Sequence, residues 1–220
     1  MLIVTRARGA RRDGSGWQTY GMPFERDVEA FDRRAATYES GSLGRVHLEI
    51  SDRVADLALR QAPAPRRVLD VGSGTGYLLN LLASRLPDAA EFTGVDAAPA
   101  MVAAARARTT DERVRFMEGS AEQLPVDDGG YDLVVSATSF DHWTDQGAGL
   151  AECRRALAAG GQLVLADLFS PLLWPTLLAG RRGKARTRAR ATRLITAAGF
   201  SPPRWHHGYA AIVQAATAGG

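Results

Sequence analysis

Arg67 to Ala83 reads RVLDVGSGTGYLLNLLA, and this stretch decides the fold. Val68 to Val71 is a short apolar run of the kind that forms a buried strand. Glycines follow at alternate positions, Gly72, Gly74 and Gly76. Tyr77, Leu78, Leu79, Leu81 and Leu82 then open an apolar helical pattern, so strand, turn and helix succeed one another without a linker. Alternate glycines admit positive φ and clear every Cβ from the inside of the turn. A ligand can then lie directly against the main chain, and the turn is expected to be a ligand site.

The spacing narrows the ligand. A dinucleotide turn needs G-x-G-x-x-G, but Tyr77 stands where its third glycine would be required. A phosphate-cradling P-loop is excluded because no G-K-[ST] follows. Asp70, two residues before the first glycine, would repel a pyrophosphate and suit a cation. S-adenosylmethionine carries a sulfonium and an ammonium and no phosphate. The residues V-L-D-V-G-S-G-T-G resemble the first motif of the class I S-adenosylmethionine-dependent methyltransferases of the small-molecule type (methyltransferase domain 11-like). The resemblance implies an α/β fold with a doubly wound, seven-stranded, mostly parallel sheet and an antiparallel last strand. It also implies S-adenosylmethionine as cofactor, S-adenosylhomocysteine as product, and Asp70, Gly72, Gly74 and Gly76 as cofactor positions.

Composition sets outer bounds. At 220 residues the chain suits one α/β domain. Its 45% hydrophobic and 23% charged residues are ordinary for a soluble protein, and no apolar run reaches membrane-span length. Cys153 is the only cysteine, so an internal disulfide is excluded and a reducing, cytoplasmic setting is expected. The net charge of +3 is mild, and nucleic acid is not the expected partner.

Residues 1–20 place Arg6, Arg8, Arg11 and Arg12 among small residues and read as a disordered basic arm. Phe24, Val28, Phe31, Ala35 and Tyr38 recur at helical spacing. FDRRAATYE resembles the N-terminal segment that covers the cofactor in many relatives. Residues 21–65 are therefore expected to form a helical lid, with a second helix over Val46–Leu59, and Tyr38 to reach the methionyl end. Residues 66–220 form the expected core.

Glu91 to Val95 reads as the second strand, ending at Asp96, about 20 residues past the last glycine, where an acid can take both ribose hydroxyls. GVDAAPAMVAAARAR resembles the next family motif, which implies Ala97 against the adenine and Met101 packed on the purine. After strand Val114–Met117 the family often has G-D-A-x-x-L-P. Here Ser120 replaces the acid, with Ala121 offering its backbone N–H. Strand Tyr131–Ser136 ends at a loop holding His142, and Ser136 completes the cofactor positions. Ligands bind beyond the carboxyl ends of such strands, and imidazole is the one group there that titrates near neutrality, so His142 is the candidate catalytic base.

A helix over Leu150–Leu157 is expected to stop at Gly160-Gly161, before strand Gln162–Leu168. Phe169–Leu178 is aromatic and proline-rich, a candidate acceptor wall. Arg181–Arg193 holds cations and no acid, a solvated face. The tail reads as a hairpin: strand Arg204–His207, a turn at Gly208-Tyr209, and a return over Ala210–Ala216. His206 and His207 read as strand-edge residues, and no metal site is expected. The sequence lacks the Pro-rich loop and Pro-Cys pair expected of nucleic-acid methylation, which leaves a small, partly apolar acceptor. Two rival functions stay open: a nicotinamide-dependent oxidoreductase, and a non-catalytic cofactor-binding or RNA-associated protein.

Overall fold

Val68, Leu69 and Val71 have almost no solvent contact, so β1 (Arg67–Val71) must have neighbours on both edges and both faces. The computed structural model, which describes residues 23–89, 91–169, 187–209 and 213–220, supplies them. β1 pairs in parallel with β2 (Glu91–Asp96) on one side and with β4 (Tyr131–Ala137) on the other. β3 (Val114–Glu118) extends the first edge and β5 (Leu157–Leu168) the second. β7 (Val213–Gly219) runs antiparallel between β5 and β6 (Arg204–Tyr209). The order is β3-β2-β1-β4-β5-β7-β6, so the chain reverses its direction of winding between β1 and β4. That reversal opens a crevice at the strands' carboxyl ends, where the glycine turn lies.

The helices divide between the faces. α1 (Pro23–Arg34) and a 3-10 turn (Ala35–Thr37) lead into α2 (Gly41–Gln61). α2, α3 (Tyr77–Arg85) and α4 (Pro99–Arg108) cover one face through Val54, Leu79, Leu82 and Val102. α5 (Gln146–Ala156) and α6 (Arg188–Ala197) cover the other through Leu150, Cys153 and Ile195. Truncating such a residue, Leu79 for example, to alanine costs about 2–5 kcal/mol. Cys153 is fully buried, and burial pushes its thiol up to about 12, so it packs as a small hydrophobe. No helix among the described residues is long and apolar enough to cross a membrane.

Some boundaries differ from expectation. α2 begins five residues earlier than Val46, at Gly41. Gly160-Gly161 does not stop a helix. α5 ends at Ala156, and Leu157 already pairs with Tyr131. Gly160 then takes φ 79 inside β5, where the register shifts before Gln162 meets Leu133. A glycine pair can absorb such a bulge as readily as it caps a helix. β6 continues through Gly208 to Tyr209, which pairs with Val213. The basic arm of residues 1–20, most of Phe169–Leu178 and the cations at 181, 182, 184 and 186 lie outside the described residues.

Candidate active site

The glycine turn is tied to β2. Gly72 and Ser73 both donate their N–H to the carbonyl of Val95, at 2.8 and 3.1 Å. Asp96 completes the tie: Oδ2 accepts from the Gly74 N–H at 2.8 Å and Oδ1 from the Ala98 N–H at 2.9 Å. One carboxylate thus fixes two loops. Each of its oxygens keeps a second lone pair for a ligand hydroxyl. Burial raises its carboxyl above the usual carboxylate range, against the pull of those two N–H groups.

Gly72 and Gly74 have different work. A Cβ on Gly72 (φ 75) would run into the side chain of Ser139, whereas a Cβ on Gly74 (φ 52) would meet nothing within 4 Å. Gly74 therefore opens onto the crevice, and Gly72 allows close packing beneath it. Ser139 is the hub of that packing. Its hydroxyl donates to the Val71 carbonyl at 2.9 Å, lies 2.8 Å from Ser136 Oγ, and accepts from Trp143 Nε1 at 3.2 Å.

Two cavities meet along the turn and share Tyr38, Gly72, Gly74, Ala137 and Thr138. The larger, of ≈ 710 Å³, adds Asp96, Ala97, Met101, Ala121 and His142, and its remaining wall includes Phe31 and Trp143. The smaller, of ≈ 440 Å³, adds Asp70, His47, Ser51 and Thr75. Thr138 stands between them as the only positive-φ residue besides glycine among the described residues (φ 56), pinned by its N–H on the Ala166 carbonyl at 2.8 Å. Such a conformation in a β-branched residue costs about 1–3 kcal/mol and collects at functional sites.

Asp70 is 2% exposed and faces the smaller cavity, and its carboxylate has no hydrogen-bond partner among the described residues. Burial, and then the charge of Asp96, push its carboxyl up to about 8. A buried carboxylate without a donor is costly unless a cation arrives. Across the cavity, Tyr38 Oη lies 2.7 Å from His47 Nδ1. Burial raises the Tyr38 phenol to about 12, opposed by Arg34 and the nearby Thr138 hydroxyl. His142 sits in the larger cavity with its ring edge-on to Phe31, centroids 4.9 Å apart at 89°.

The structure thus brings Tyr38, Asp70, Gly72, Gly74, Asp96, Ala97, Met101, Ala121 and His142 to one crevice. Gly76, Ser120 and Ser136 line neither cavity. Gly76 (φ 82) faces Phe116 in the core as the N-cap of α3, with Phe116 Cζ 2.5 Å from where its Cβ would stand. Ser136 is fully buried behind Ser139. Ser120 turns into a bridge with Gln123. Sequence reasoning does not single out His47, Thr138 or Ser139 as site residues, although the last two lie in the loop after β4 that it places toward the ligand.

Residues 68–161 match the family described as Methyltransferase domain. The chain carries a class I methyltransferase domain. Among curated relatives, it is 43% identical over 121 residues to the demethylmenaquinone methyltransferase of Thermus thermophilus, covering 54% of each chain. It is 38% identical over 167 residues to the malonyl-[acyl-carrier protein] O-methyltransferase of Geobacter sulfurreducens, covering 74% of this chain and 60% of that one. The chain thus spans little more than half the length of these relatives. Its fold is also that of a methyltransferase solved in complex with the Trm112 activator of Haloferax volcanii. The TM-score is 0.72 at 22% identity, over 86% of this chain and 96% of the other.

Proposed function

We propose that this protein binds S-adenosylmethionine and methylates a small, partly apolar organic acceptor. The observation that carries the reading is Asp70, a buried carboxylate without a partner among the described residues, at the foot of a glycine turn that opens at Gly74. That arrangement suits a cationic ligand and disfavours the pyrophosphate of a nicotinamide cofactor. S-adenosylmethionine, when bound, supplies an electrophilic sulfonium methyl. The protein's share is alignment and exclusion of water. Asp70 would hold the ammonium, Asp96 the ribose hydroxyls, and Ala97 and Met101 the adenine. α1 and the start of α2 would cover the crevice as a lid, bringing in Phe31 and Tyr38. Phe31, Trp143 and His142 leave an aromatic wall for the acceptor. The two relatives are named for a quinone precursor and a malonyl group on acyl-carrier protein.

Mass spectrometry of ligand retained on purification, with transfer of labelled methyl to a panel of quinols, phenols and acyl thioesters, tests this. Retained S-adenosylmethionine or its demethylated product and labelling of one panel member are expected. Retained nicotinamide cofactor, or no calorimetric binding of S-adenosylhomocysteine, would overturn it.

A further inference from the structure

Among the side chains around the smaller cavity, one stands out as a free hydrogen-bond donor. On the reading proposed above, this cavity receives an α-amino acid end, which brings an ammonium and a carboxylate together. Asp70 answers the ammonium. The carboxylate needs donors, and no arginine or lysine is among the described residues that line the cavity.

The hydroxyls around it have their protons engaged elsewhere. Ser51 donates to the His47 carbonyl at 3.0 Å, Tyr77 to Asp52 at 3.0 Å, and Thr75 to Glu39. Ser73 Oγ has no partner, but it lies 2.9 Å from where a Cβ on Gly94 would stand, so it points beneath the turn toward β2. His47 remains. It is partly buried in the second turn of α2, its ring edge-on to Tyr38 with centroids 5.0 Å apart. Burial, then Arg34 and His142, lower its pKa, so the ring is neutral and carries one N–H. Tyr38 keeps its phenol proton, and His47 Nδ1, 2.7 Å away, is the one hydrogen-bond partner of its Oη among the described residues, so the phenol donates to Nδ1. Nδ1 is then an acceptor, and the ring proton is on Nε2.

We infer that His47, held in its Nε2–H tautomer by Tyr38, is the side-chain donor that recognises the carboxylate of the cofactor's amino-acid end. Tyr38 is the positioning residue.

Calorimetry with two ligands tests this: S-adenosylhomocysteine, and 5′-methylthioadenosine, which shares the adenosine and thioether but lacks the amino-acid end. His47→Ala should weaken S-adenosylhomocysteine by about tenfold or more, the loss of a hydrogen bond to a charged group, and leave 5′-methylthioadenosine unchanged. His47→Phe, which keeps the ring beside Tyr38 but has no nitrogen, should behave as His47→Ala. His47→Gln, which restores an N–H donor, should recover most of the affinity. Equal weakening of both ligands would mean that His47 only shapes the lid, and unchanged affinity for both would remove it from the site. A wild-type protein that binds both ligands equally would overturn this inference alone. Binding of neither would overturn the S-adenosylmethionine reading with it.

Discussion

Asp32 of α1 accepts a hydrogen bond from the backbone N–H of Ala100 at 2.9 Å, so one helix caps another. The N-cap of α4 is Ala98, whose side chain can do nothing for the open N–H groups of the first turn, and Pro99 follows it. Asp32 supplies the missing acceptor from 68 residues upstream, and its charge suits the positive end of the helix. Met101, in the same turn, packs with Ala35, Phe31 and Tyr38. Asp32→Ala should therefore lower stability by about 1 kcal/mol, as the loss of a cap does. It should also speed amide exchange in α1 and the first turn of α4, and weaken S-adenosylhomocysteine. Exchange unchanged from wild type would show that α1 is held by apolar contact alone.

Asp96 is both a ligand candidate and a structural tie, and two substitutions separate these roles. Asp96→Ala removes the acceptors of Gly74 and Ala98 together with any ribose contact. It should weaken S-adenosylhomocysteine by about 1.5–3 kcal/mol and lower the melting temperature of the free protein. Asp96→Asn keeps one oxygen acceptor and should lose less on both counts. Calorimetry beside thermal unfolding of both variants measures each loss. Wild-type affinity in Asp96→Ala would take the residue out of the ligand site.

Asp70 couples the site to pH. Its folded-state carboxyl is raised to about 8, so the native protein keeps a proton that an unfolded aspartate has lost. The native state binds more protons between about pH 4 and pH 8, so this group's contribution to stability declines as pH rises through that window and then levels off. A bound ammonium favours the ionised form. Binding of S-adenosylhomocysteine at about pH 6.5 should release a proton from Asp70, and affinity should climb toward pH 8. The observed enthalpy should then differ between buffers of different ionisation heat, and Asp70→Asn should abolish the difference. A buffer-independent enthalpy in the wild type would show that Asp70 does not meet the cation.

Gly74 and Gly72 should fail differently. Valine at Gly74 enters open space at φ 52, so its cost to the fold is chiefly the left-handed conformation, about 1–2 kcal/mol. Its branches fill the crevice, so cofactor binding should be lost with a native circular dichroism spectrum. Alanine at Gly72 drives a Cβ into Ser139 and should destabilise the fold through a displaced β1–β4 junction. Tight binding by Gly74→Val would place the ligand elsewhere.

What the sequence made legible was what is local. The strand, glycine turn and helix of Arg67–Ala83 occur as read because their signals lie side by side, and the acid ending β2 follows at a fixed distance. Contacts made by folding left no such trace. Ser139 reaches Val71 across 68 positions, and His47 meets Tyr38 only because the chain turns between α1 and α2. Three alternate glycines look equivalent in one dimension, and the structure turns the third toward Phe116. Gly160-Gly161 shows the same ambiguity: positive φ serves a helix cap and a strand bulge alike, and the pairing of Leu157 with Tyr131 decides for the strand.

His142 should act as a general base when the acceptor must lose a proton. It ends a 3-10 turn at the tip of β4, its N–H on the Ser139 carbonyl at 2.9 Å, and its ring lines the larger cavity beside Phe31 and Trp143. A positioned base contributes about 10²–10⁴-fold, so His142→Ala should lower turnover at saturating cofactor by about a hundredfold or more. Removing the ring also takes away the edge contact with Phe31, so His142→Phe is the sharper variant: it keeps an aromatic against Phe31 and cannot accept a proton. Both variants should bind S-adenosylhomocysteine as the wild type does, because Gly74, Asp70 and Asp96 belong to the ends of β1 and β2. If His142→Phe keeps most of its turnover with the acceptor found by the methyl-transfer panel, alignment of the acceptor is sufficient and the histidine is part of the pocket wall.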